Sequence, residues 1–301
     1  MIAVFGASGR LGRAVARLLI DDRRPVRAVT RNPASLADFA QLGVEVVVAD
    51  LRDTASTARA CAGATHVVAA THGFPGQRGN DPPAVDRDGN RRLVDAARGA
   101  GIERFVFVSA AIASADNPVD FFRFKQESEN YLRDSGMEFT ILRAAAFMEF
   151  WAAMIGDGIL KDGKAKIFGV GENPINFVSV ADVARYVVAS LDDPRLRNRT
   201  ITVGGPQDLS FLDVVATFER VTGRTAVVSH VPLAVMRAIA AVTRRINAPL
   251  WRQVQAGIQF DTTDQRCDMA ATAREFGFPM TRLDDLVQQQ LAAANRPVAR
   301  G

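Results

Sequence analysis

Val4-Phe5-Gly6-Ala7-Ser8-Gly9-Arg10-Leu11-Gly12 is the stretch that decides the fold, because it joins a short apolar run to a helical pattern through three closely spaced glycines. Glycine is required where a chain turns sharply, where backbone amides approach a pyrophosphate, and where a helix packs closely on a strand. The apolar positions along Leu11–Leu19 predict an amphipathic helix, whose N-terminal N–H groups suit an anion. We interpret the stretch as a phosphate-binding turn formed by Gly6, Ser8, Gly9, Arg10, Leu11 and Gly12; the alternative is a structural turn without a ligand.

Short β-branched runs alternate with helix-length segments through the first half of the chain. The runs are Ile2–Phe5, Val26–Thr30, Val44–Ala49, Thr65–Ala70, Phe105–Ser109 and Phe139–Leu142. Most of them are continuously apolar, which is typical of parallel strands buried on both faces of a sheet. Strands separated by helices in this way require right-handed crossovers. The pattern predicts an α/β fold with a doubly wound, parallel Rossmann-type sheet.

The regular alternation ends after Arg143. Two later segments are typical of strands, and the remainder is mostly helical without a long linker. We predict a dinucleotide-binding domain over residues 1–146, with its sheet completed by strands near 176–180 and 201–204. Residues 147–301 are predicted to form a small, mostly helical C-terminal lobe that is interleaved with this domain.

The composition excludes several classes of protein. Of the 301 residues, 48% are hydrophobic and 23% are charged, which is ordinary for a globular chain and excludes disordered, collagen-like and disulfide-dense proteins. Lys and Arg total 37 against 33 for Asp and Glu, so the net charge is only +4. Because the basic residues form no stripe or patch along the sequence, we expect no nucleic-acid partner.

The cysteines and the apolar segments bear on the compartment. Cys61 and Cys267 match neither a metal-ligand nor a redox spacing, so we expect a reduced cytoplasm and no metal. The first predicted strand starts at Ile2, which leaves no room for a targeting peptide. The longest mainly apolar stretch, Val231–Val242, is interrupted by Arg237 and is too short for a membrane span. We therefore predict a cytoplasmic protein without a transmembrane segment.

The glycines follow the spacing Gly-x-x-Gly-x-x-Gly, and further segments match one superfamily in order and spacing. These segments are Asp50-Leu51, Asp88-Gly89-Asn90, Arg104–Ser109, Glu138–Arg143 and Asn176–Ala184. Over about the first 190 residues, the chain resembles atypical and extended short-chain dehydrogenase/reductases, and more closely the NmrA-like and isoflavone-reductase-like branch. The resemblance implies that Asp50 contacts the adenine, that Leu51 packs beside it, and that Ala69, Ala70 and Thr71 line the strand end facing the cofactor.

The end of the second predicted strand bears on the choice of dinucleotide. An NAD site needs a carboxylate about 20 residues after the glycines, to accept from the ribose 2′-hydroxyl. Here the residues are Thr30, Arg31 and Asn32. A guanidinium can pair with a 2′-phosphate, so NADP(H) is favoured over NAD(H), with Arg10 a candidate for a second contact. The alternative for Arg31 is a solvated surface arginine.

The resemblance also implies a Tyr-x-x-x-Lys pair in the active site, and the tyrosine is missing. Four residues after Tyr131 and Tyr186 stand serines, whereas Phe121 precedes Lys125 at the required spacing. Lys125 falls on an otherwise inward-facing stripe of a predicted helix, so its ammonium needs an anionic or polar neighbour, with Glu129 as the candidate. We predict a cofactor-binding or proton-transfer role for Lys125; the alternative is a lysine whose head reaches water.

Two further residues are candidates for catalysis. His72 follows the fourth predicted strand and either relays protons to a substrate or hydrogen-bonds its own loop. Ser109 ends the fifth strand, where the resemblance places a hydroxyl near the active site; the alternative is a capping serine. Aromatic and apolar residues after the sixth strand are either core or the walls of an apolar pocket, and they are Phe147, Met148, Phe150, Trp151 and Phe168.

These observations lead to two functional hypotheses. The favoured one is an NADPH-dependent reductase that passes hydride to an apolar carbonyl, enone or quinone-like small molecule, with Lys125 positioning the ribose and assisting protonation. The rival is a non-catalytic, NADP(H)-binding redox-sensing regulator or assembly factor with a protein partner, because the tyrosine is absent.

Overall fold

The computed structural model describes residues 1–77 and 79–294. Its strands are β1 (Ile2–Phe5), β2 (Val26–Thr30), β3 (Glu45–Val48), β4 (His66–Ala69), β5 (Arg104–Ala110), β6 (Phe139–Ala144), β7 (Ala146–Phe147), β8 (Lys164–Phe168), β9 (Ile175–Val178), β10 (Arg199–Val203), β11 (Asp208–Leu209) and β12 (Val227–Val231).

The α-helices in the same ranges are α1 (Arg10–Asp21), α2 (Ala37–Gln41), α3 (Thr54–Cys61), α4 (Asn90–Gly99), α5 (Asp120–Asp134), α6 (Met148–Asp162), α7 (Val180–Ala189), α8 (Phe211–Thr222), α9 (Leu233–Ile246), α10 (Ala248–Thr262), α11 (Ala270–Phe276) and α12 (Leu283–Ala294). Short 3₁₀ turns span Pro33–Leu36 and Pro194–Leu196, and a π-helical segment spans Pro83–Gly89. Along the described ranges, none of the helices combines the length and apolarity that crossing a membrane requires.

A seven-stranded sheet organises the first part of the chain. Its order is β10-β6-β5-β4-β1-β2-β3, and every neighbouring pair is parallel. The chain builds outward from β1 to β3 and then returns to β4 on the other side of β1. The carboxyl ends of β1 and β4 therefore flank a topological switch point, where open α/β sheets bind ligands. The predicted doubly wound, Rossmann-type sheet is confirmed.

The chain divides into two compact units. The first comprises Met1–Ala144 and Val183–Val203, and the second comprises Ala145–Asp182 and the described residues from 204 to 294. In the first unit, Phe5, Phe105 and Ile141 of the sheet pack in one apolar cluster with residues of α4 and α5. Burying one large apolar side chain contributes about 1.5–3 kcal/mol, so this cluster holds the strand ends in register.

The second unit has its own small sheets and apolar core. One sheet has the order β11-β9-β7, and the other pairs β12 with β8. Phe177, Phe211 and Phe218 are buried in its core with Ile155 and other apolar residues. The described helices of this unit account for the predicted helical C-terminal region.

The strand expected near 176–180 does not complete the large sheet. The strand near 201–204 does, because Arg199–Val203 pairs in parallel with β6. Since β5 and β10 occupy both edges of β6, that strand offers no edge to Ile175–Val178. The latter pairs instead with β7 and β11, two-residue strands that are too short to recognise in a sequence.

Candidate functional site

The glycine turn joins β1 to α1 beside the end of β4. Gly6 has a φ of +84°, and a Cβ there would lie 2.8 Å from the carbonyl oxygen of Ala70. A Cβ at Gly12 would lie 2.2 Å from the carbonyl oxygen of Gly6, because α1 packs directly against the turn. Both positions therefore require glycine. The Gly9 amide donates to the Gly6 carbonyl over 2.9 Å and closes the turn.

The N-terminus of α1 is open to an anion. Gly9 precedes the helix, and within the described residues neither a side-chain cap nor an acidic residue in the first turn occupies this end. Ser8 and Arg10 are exposed here, whereas Leu11 and Gly12 are buried. The first N–H groups of a helix have no partner within it and carry a partial positive charge. Together with the glycines, they fit a dinucleotide pyrophosphate.

The end of β2 exposes a guanidinium and no carboxylate. Thr30 is buried and donates to Ser8 Oγ over 3.1 Å, which ties the strand to the glycine turn. Asn32 accepts from the Ala34 amide over 3.2 Å and so caps the following 3₁₀ turn. Arg31 between them is exposed and donates to the Asn80 side chain. This edge fits a 2′-phosphate better than a free 2′-hydroxyl, because it supplies a cation and no acceptor carboxylate.

A second guanidinium that the sequence interpretation missed lies beside Asp50. Arg52 donates to Asp50 over 2.9 Å from Nε to Oδ1 and 2.5 Å from Nη2 to Oδ2, and its Nη1 donates to the carbonyl oxygen of Gly79 over 2.5 Å. These bonds hold the pKa of Asp50 below its usual value, although partial burial opposes them. Leu51 is buried, and a Cβ on Gly89 would lie 2.9 Å from its Cβ. In so arginine-rich a chain, nothing in the sequence distinguishes Arg52.

The end of β4 presents one unpaired polar atom. The Ala70 amide donates to the Phe5 carbonyl over 3.1 Å, so the pairing with β1 continues past the strand. The hydroxyl oxygen of Thr71 is buried and has no hydrogen-bond partner among the residues described. A buried hydroxyl without a partner is costly, so a ligand that supplies one is favoured at this position.

Lys125 lies in α5 with its ammonium enclosed by oxygen atoms. Its side chain is 4% exposed, and Nζ lies 3.2 Å from Oδ1 of the fully buried Asp86. Nζ also donates to the carbonyl oxygens of Thr71 over 3.1 Å and Val108 over 3.2 Å. The ammonium is further within 4.9 Å of the ring centre of Phe107. The head therefore does not reach water, and its anionic neighbour is Asp86.

The expectation that Glu129 neutralises Lys125 is wrong. Glu129 is fully buried and instead accepts from Ser109 Oγ over 2.6 Å and from Arg143 over 2.9 and 2.7 Å. Although the two residues are four apart on α5, the carboxylate is directed to the ends of β5 and β6. Ser109 is also buried, and its hydroxyl proton is committed to Glu129. The Ser109 hydroxyl therefore belongs to a buried hydrogen-bonded group with Glu129 and Arg143.

Asp86 is the second functional residue that the sequence interpretation missed. It lies in the π-helical segment, and its Oδ2 accepts from the Gly73 amide over 2.7 Å. Burial raises the pKa of Asp86, and the Lys125 charge opposes that effect. Single π-helical turns often occur at functional sites, because they insert a residue and redirect a side chain. The Pro82-Pro83 pair before Asp86 is typical of a loop, so the sequence pattern does not indicate a buried carboxylate here.

His72 is exposed at the end of β4, next to an apolar wall. Its ring meets the ring of Phe121 edge-on, with centroids 6.3 Å apart. Phe121 also contacts Phe74 and Phe122, with ring centroids at 5.2 and 5.0 Å. Although the residue is exposed, the protein around its ring removes part of the ring's hydration and so lowers the pKa of His72; Lys125 acts in the same direction, whereas Asp86 opposes both. Phe121, at the position of the missing tyrosine, is thus packed among phenylalanines and has no ionisable proton to give.

The remaining candidates belong to the second unit. Met148 is buried in its core, whereas Phe150 is 47% exposed. Trp151 packs edge-on against Phe260, with ring centroids 4.4 Å apart. In residues 1–77 and 79–294, no group of three or more His, Cys, Asp or Glu side chains is arranged to hold a metal ion.

Comparison with known proteins agrees with this architecture. The (4-alkanoyl-5-oxo-2,5-dihydrofuran-3-yl)methyl phosphate reductase of Streptomyces griseus is 34% identical over 228 residues, which cover 74% of each chain. The photosystem II assembly factor Ycf39 of Cyanophora paradoxa is 28% identical over 236 residues, 77% of this chain and 72% of that protein. The NADPH-dependent quinone oxidoreductase QOR2 of Escherichia coli, solved with NADPH, has the same fold, with a TM-score of 0.79 at 21% identity over 97% of this chain and all of that one.

A family model decides the assignment. The model of the NmrA-like family matches residues 1–273, which is most of the chain. The resemblance inferred from the glycine spacing is thereby confirmed, and the chain belongs to the NmrA-like family.

Proposed function

We propose that the protein is an NADPH-dependent reductase that delivers hydride to an apolar carbonyl, enone or quinone-like small molecule. The observation that carries the proposal is the glycine turn at the β1–β4 switch point, which leads into an uncapped helix beside an acid-free strand end. Reductases among the relatives of the chain, and the fold shared with an NADPH-dependent quinone oxidoreductase, support it.

The residues that hold the cofactor in this proposal come from three strand ends. The glycine turn and the first N–H groups of α1 bind the pyrophosphate. Arg31, and Arg52 near it, bind the 2′-phosphate, which favours NADP(H) over NAD(H). Ala70 and Thr71 line the end of β4, where the Thr71 hydroxyl lacks a protein partner among the described residues. When bound, the nicotinamide supplies the hydride.

For Lys125 we propose a role different from the predicted one. Its ammonium already contacts Asp86 and two backbone carbonyls, so contact with a ribose would require breaking one of these interactions. We assign it to holding together the ends of β4 and β5, beside the proposed cofactor site. Because the tyrosine position is Phe121, the proton for the reduced acceptor must come from another group.

The acceptor is a small molecule with an apolar ring. The aromatic group of Phe74, Phe121 and Phe122 beside His72 favours such a molecule over a charged one. The named activities of similar proteins, a reductase of an oxo-dihydrofuranyl methyl phosphate and a quinone oxidoreductase, point to a conjugated carbonyl as the group that is reduced.

The two free cysteines are compatible with a reduced cytoplasm, which we propose as the compartment.

A non-catalytic, NADP(H)-binding regulator or assembly factor is the second candidate. The similarity to a photosystem II assembly factor along 77% of the chain favours it, as does the phenylalanine at the tyrosine position. In that function, a protein partner replaces the small-molecule acceptor and the cofactor reports the redox state.

Turnover distinguishes the two candidates. The purified protein is mixed with NADPH or NADH and a panel of quinones and enones, and oxidation is followed at the nicotinamide absorbance. We expect consumption of NADPH with at least one conjugated carbonyl. Tight NADPH binding without turnover on the whole panel would favour the regulator, and failure to bind either dinucleotide would contradict both candidates.

A further inference from the structure

Two buried charges hold the backbone on both sides of His72. Lys125 Nζ donates to the carbonyl oxygen of Thr71 over 3.1 Å, and the Gly73 amide donates to Asp86 Oδ2 over 2.7 Å. The two charges are themselves paired, at 3.2 Å. We call Asp86 and Lys125, with these two backbone bonds, the His72 clamp.

A glycine at position 73 makes the His72 clamp sterically possible. A Cβ on Gly73 would lie 2.6 Å from the carbonyl carbon of Asp81, so only glycine allows this approach of strand end and loop. The approach brings the π-helical segment, and Asp86 with it, behind the end of β4. Ser128 of α5 donates to the Asp86 carbonyl and anchors the same segment.

His72 differs from the other two histidines in what its ring contacts. His66 Nδ1 lies 2.8 Å from Thr65 Oγ1, and His230 Nδ1 lies 3.0 Å from the Gly169 carbonyl oxygen. The described ring contact of His72 is the edge-on one with Phe121, and the residue is exposed. The backbone on both sides of this exposed histidine is hydrogen-bonded to buried charges, an arrangement suited to a group that exchanges protons with a ligand.

We propose that the His72 clamp presents His72 as the proton donor to the acceptor that is reduced at this site. The inference rests on the proposed reductase function and assigns its missing acid. Asp86 and Lys125 are positioning residues in it, because they act on His72 through the backbone and through their charges.

The reduction of the acceptor consumes one proton in addition to the hydride. Hydride brings one hydrogen and two electrons to the acceptor, so a carbonyl or quinone oxygen still requires one proton. An imidazolium N–H bond of His72 breaks and an O–H bond forms on the acceptor. The neutral imidazole then takes a proton from water, which its exposure permits. The sum is acceptor plus NADPH plus H⁺, giving reduced acceptor plus NADP⁺.

Lys125 is the less suitable donor. Its side chain is 4% exposed, and donating its proton would leave Asp86 ionised and buried without a cation. His72 carries no such penalty, since its neutral form is the ordinary one near pH 7.

The two charges that face His72 have opposite signs, so removing each of them should shift the pKa of His72 in opposite directions. Asp86 from the π-helical segment raises the pKa of His72, and Lys125 from α5 lowers it. We therefore expect Asp86→Asn to lower the pKa of His72 and Lys125→Met to raise it. A pair that acted on His72 only through the backbone would produce no such opposed shifts.

Proton NMR measures these shifts without any cofactor or acceptor. The chain has 3 histidines, and His72→Gln identifies the resonance of His72 among them. In the wild type, we expect that resonance to titrate below the ordinary value of 6.5. His66 and His230 serve as internal controls, and circular dichroism confirms folding. Asp86→Asn keeps the shape of the carboxyl group, so it tests the clamp even if Lys125→Met does not fold. An unchanged pKa of His72 in Asp86→Asn would overturn the clamp.

Kinetics test the proton donor itself. Because the acid form is required, the wild-type rate should fall as pH rises through the pKa of His72. His72→Gln should remove this limb and lower kcat by about 10²-fold or more, with NADPH affinity unchanged. His230→Gln is the matched control. Retention of the limb in His72→Gln overturns the role of His72, whereas absence of turnover in the wild type would contradict only the reductase function on which it rests.

Discussion

Charged pairs lie at the ends of both β3 and β4, but in opposite settings. In the Arg52–Asp50 pair after β3, the side chains are 43% and 28% exposed, whereas in the Lys125–Asp86 pair behind β4 they are 4% and 0% exposed. Exposed ion pairs contribute little to stability because water and salt compete with them. A buried pair is tied to the fold, because removing one partner leaves a charge without compensation. This difference supports the proposal that the first region binds a ligand, whereas the second holds the site in place.

The largest expected effect is the loss of one buried partner. Lys125→Met leaves Asp86 uncompensated and should lower the free energy of unfolding by about 3–5 kcal/mol. Urea unfolding at neutral pH measures this change. Arg52→Ala is the matched control in the exposed pair and should cost less than about 1 kcal/mol. Equal effects of the two substitutions would remove the distinction between the regions.

The glycine turn offers the next largest effect. Gly12→Ala forces a Cβ to 2.2 Å from the Gly6 carbonyl oxygen, and overpacking of this kind costs about 1–3 kcal/mol. The shift of the turn should also weaken dinucleotide binding. Gly9→Ala is the control, since its Cβ would lie 3.3 Å from the same oxygen at a φ of −77°. Thermal unfolding and NADPH titration of both variants check the expectation, which fails if Gly9→Ala is the worse of the two.

Arg31 should matter for affinity and not for stability. A hydrogen bond to a charged group contributes about 1.5–3 kcal/mol, so Arg31→Ala should weaken NADPH binding by a factor of about 10 to 100. NADH binding should stay the same, because NADH lacks the 2′-phosphate. Arg59→Ala, at an exposed arginine of α3, is the control. Equal losses for both dinucleotides would rule out a 2′-phosphate contact.

The smallest effect concerns the pH dependence of the exposed pair. Since the pKa of Asp50 is lowered in the fold, its contribution is present above the unfolded value near 3.8 and is lost as pH falls through the folded value. Asp50→Asn should therefore cost at most about 1 kcal/mol at neutral pH, and less under acid conditions. Urea unfolding at pH 7 and near pH 3 compares the two states. A cost that grows on acidification would contradict this sign.

Two kinds of feature could be predicted from the sequence: strands marked by regularly spaced apolar runs, and turns whose geometry only glycine permits. Continuous apolar runs marked the parallel strands, and Gly6 and Gly12 marked the turn, because both signals arise from backbone packing. The π-helical segment and the two-residue strands leave no such periodic signal. Position along a helix also misled the assignment of Glu129, since spacing places two side chains on one face without fixing which neighbour each one reaches. The places of Asp86 and Arg52 in the site could be inferred only from the residues that they contact in the structure.

We place the NADP(H) site at the switch point between β1 and β4. Calorimetric titration of the wild-type protein with NADPH and with NADH measures whether this site exists and whether it prefers the 2′-phosphate. A single hydrogen-bonded ionic contact to the 2′-phosphate should make NADPH bind at least about tenfold more tightly than NADH. Equal affinities, or no binding of either dinucleotide, would contradict the account.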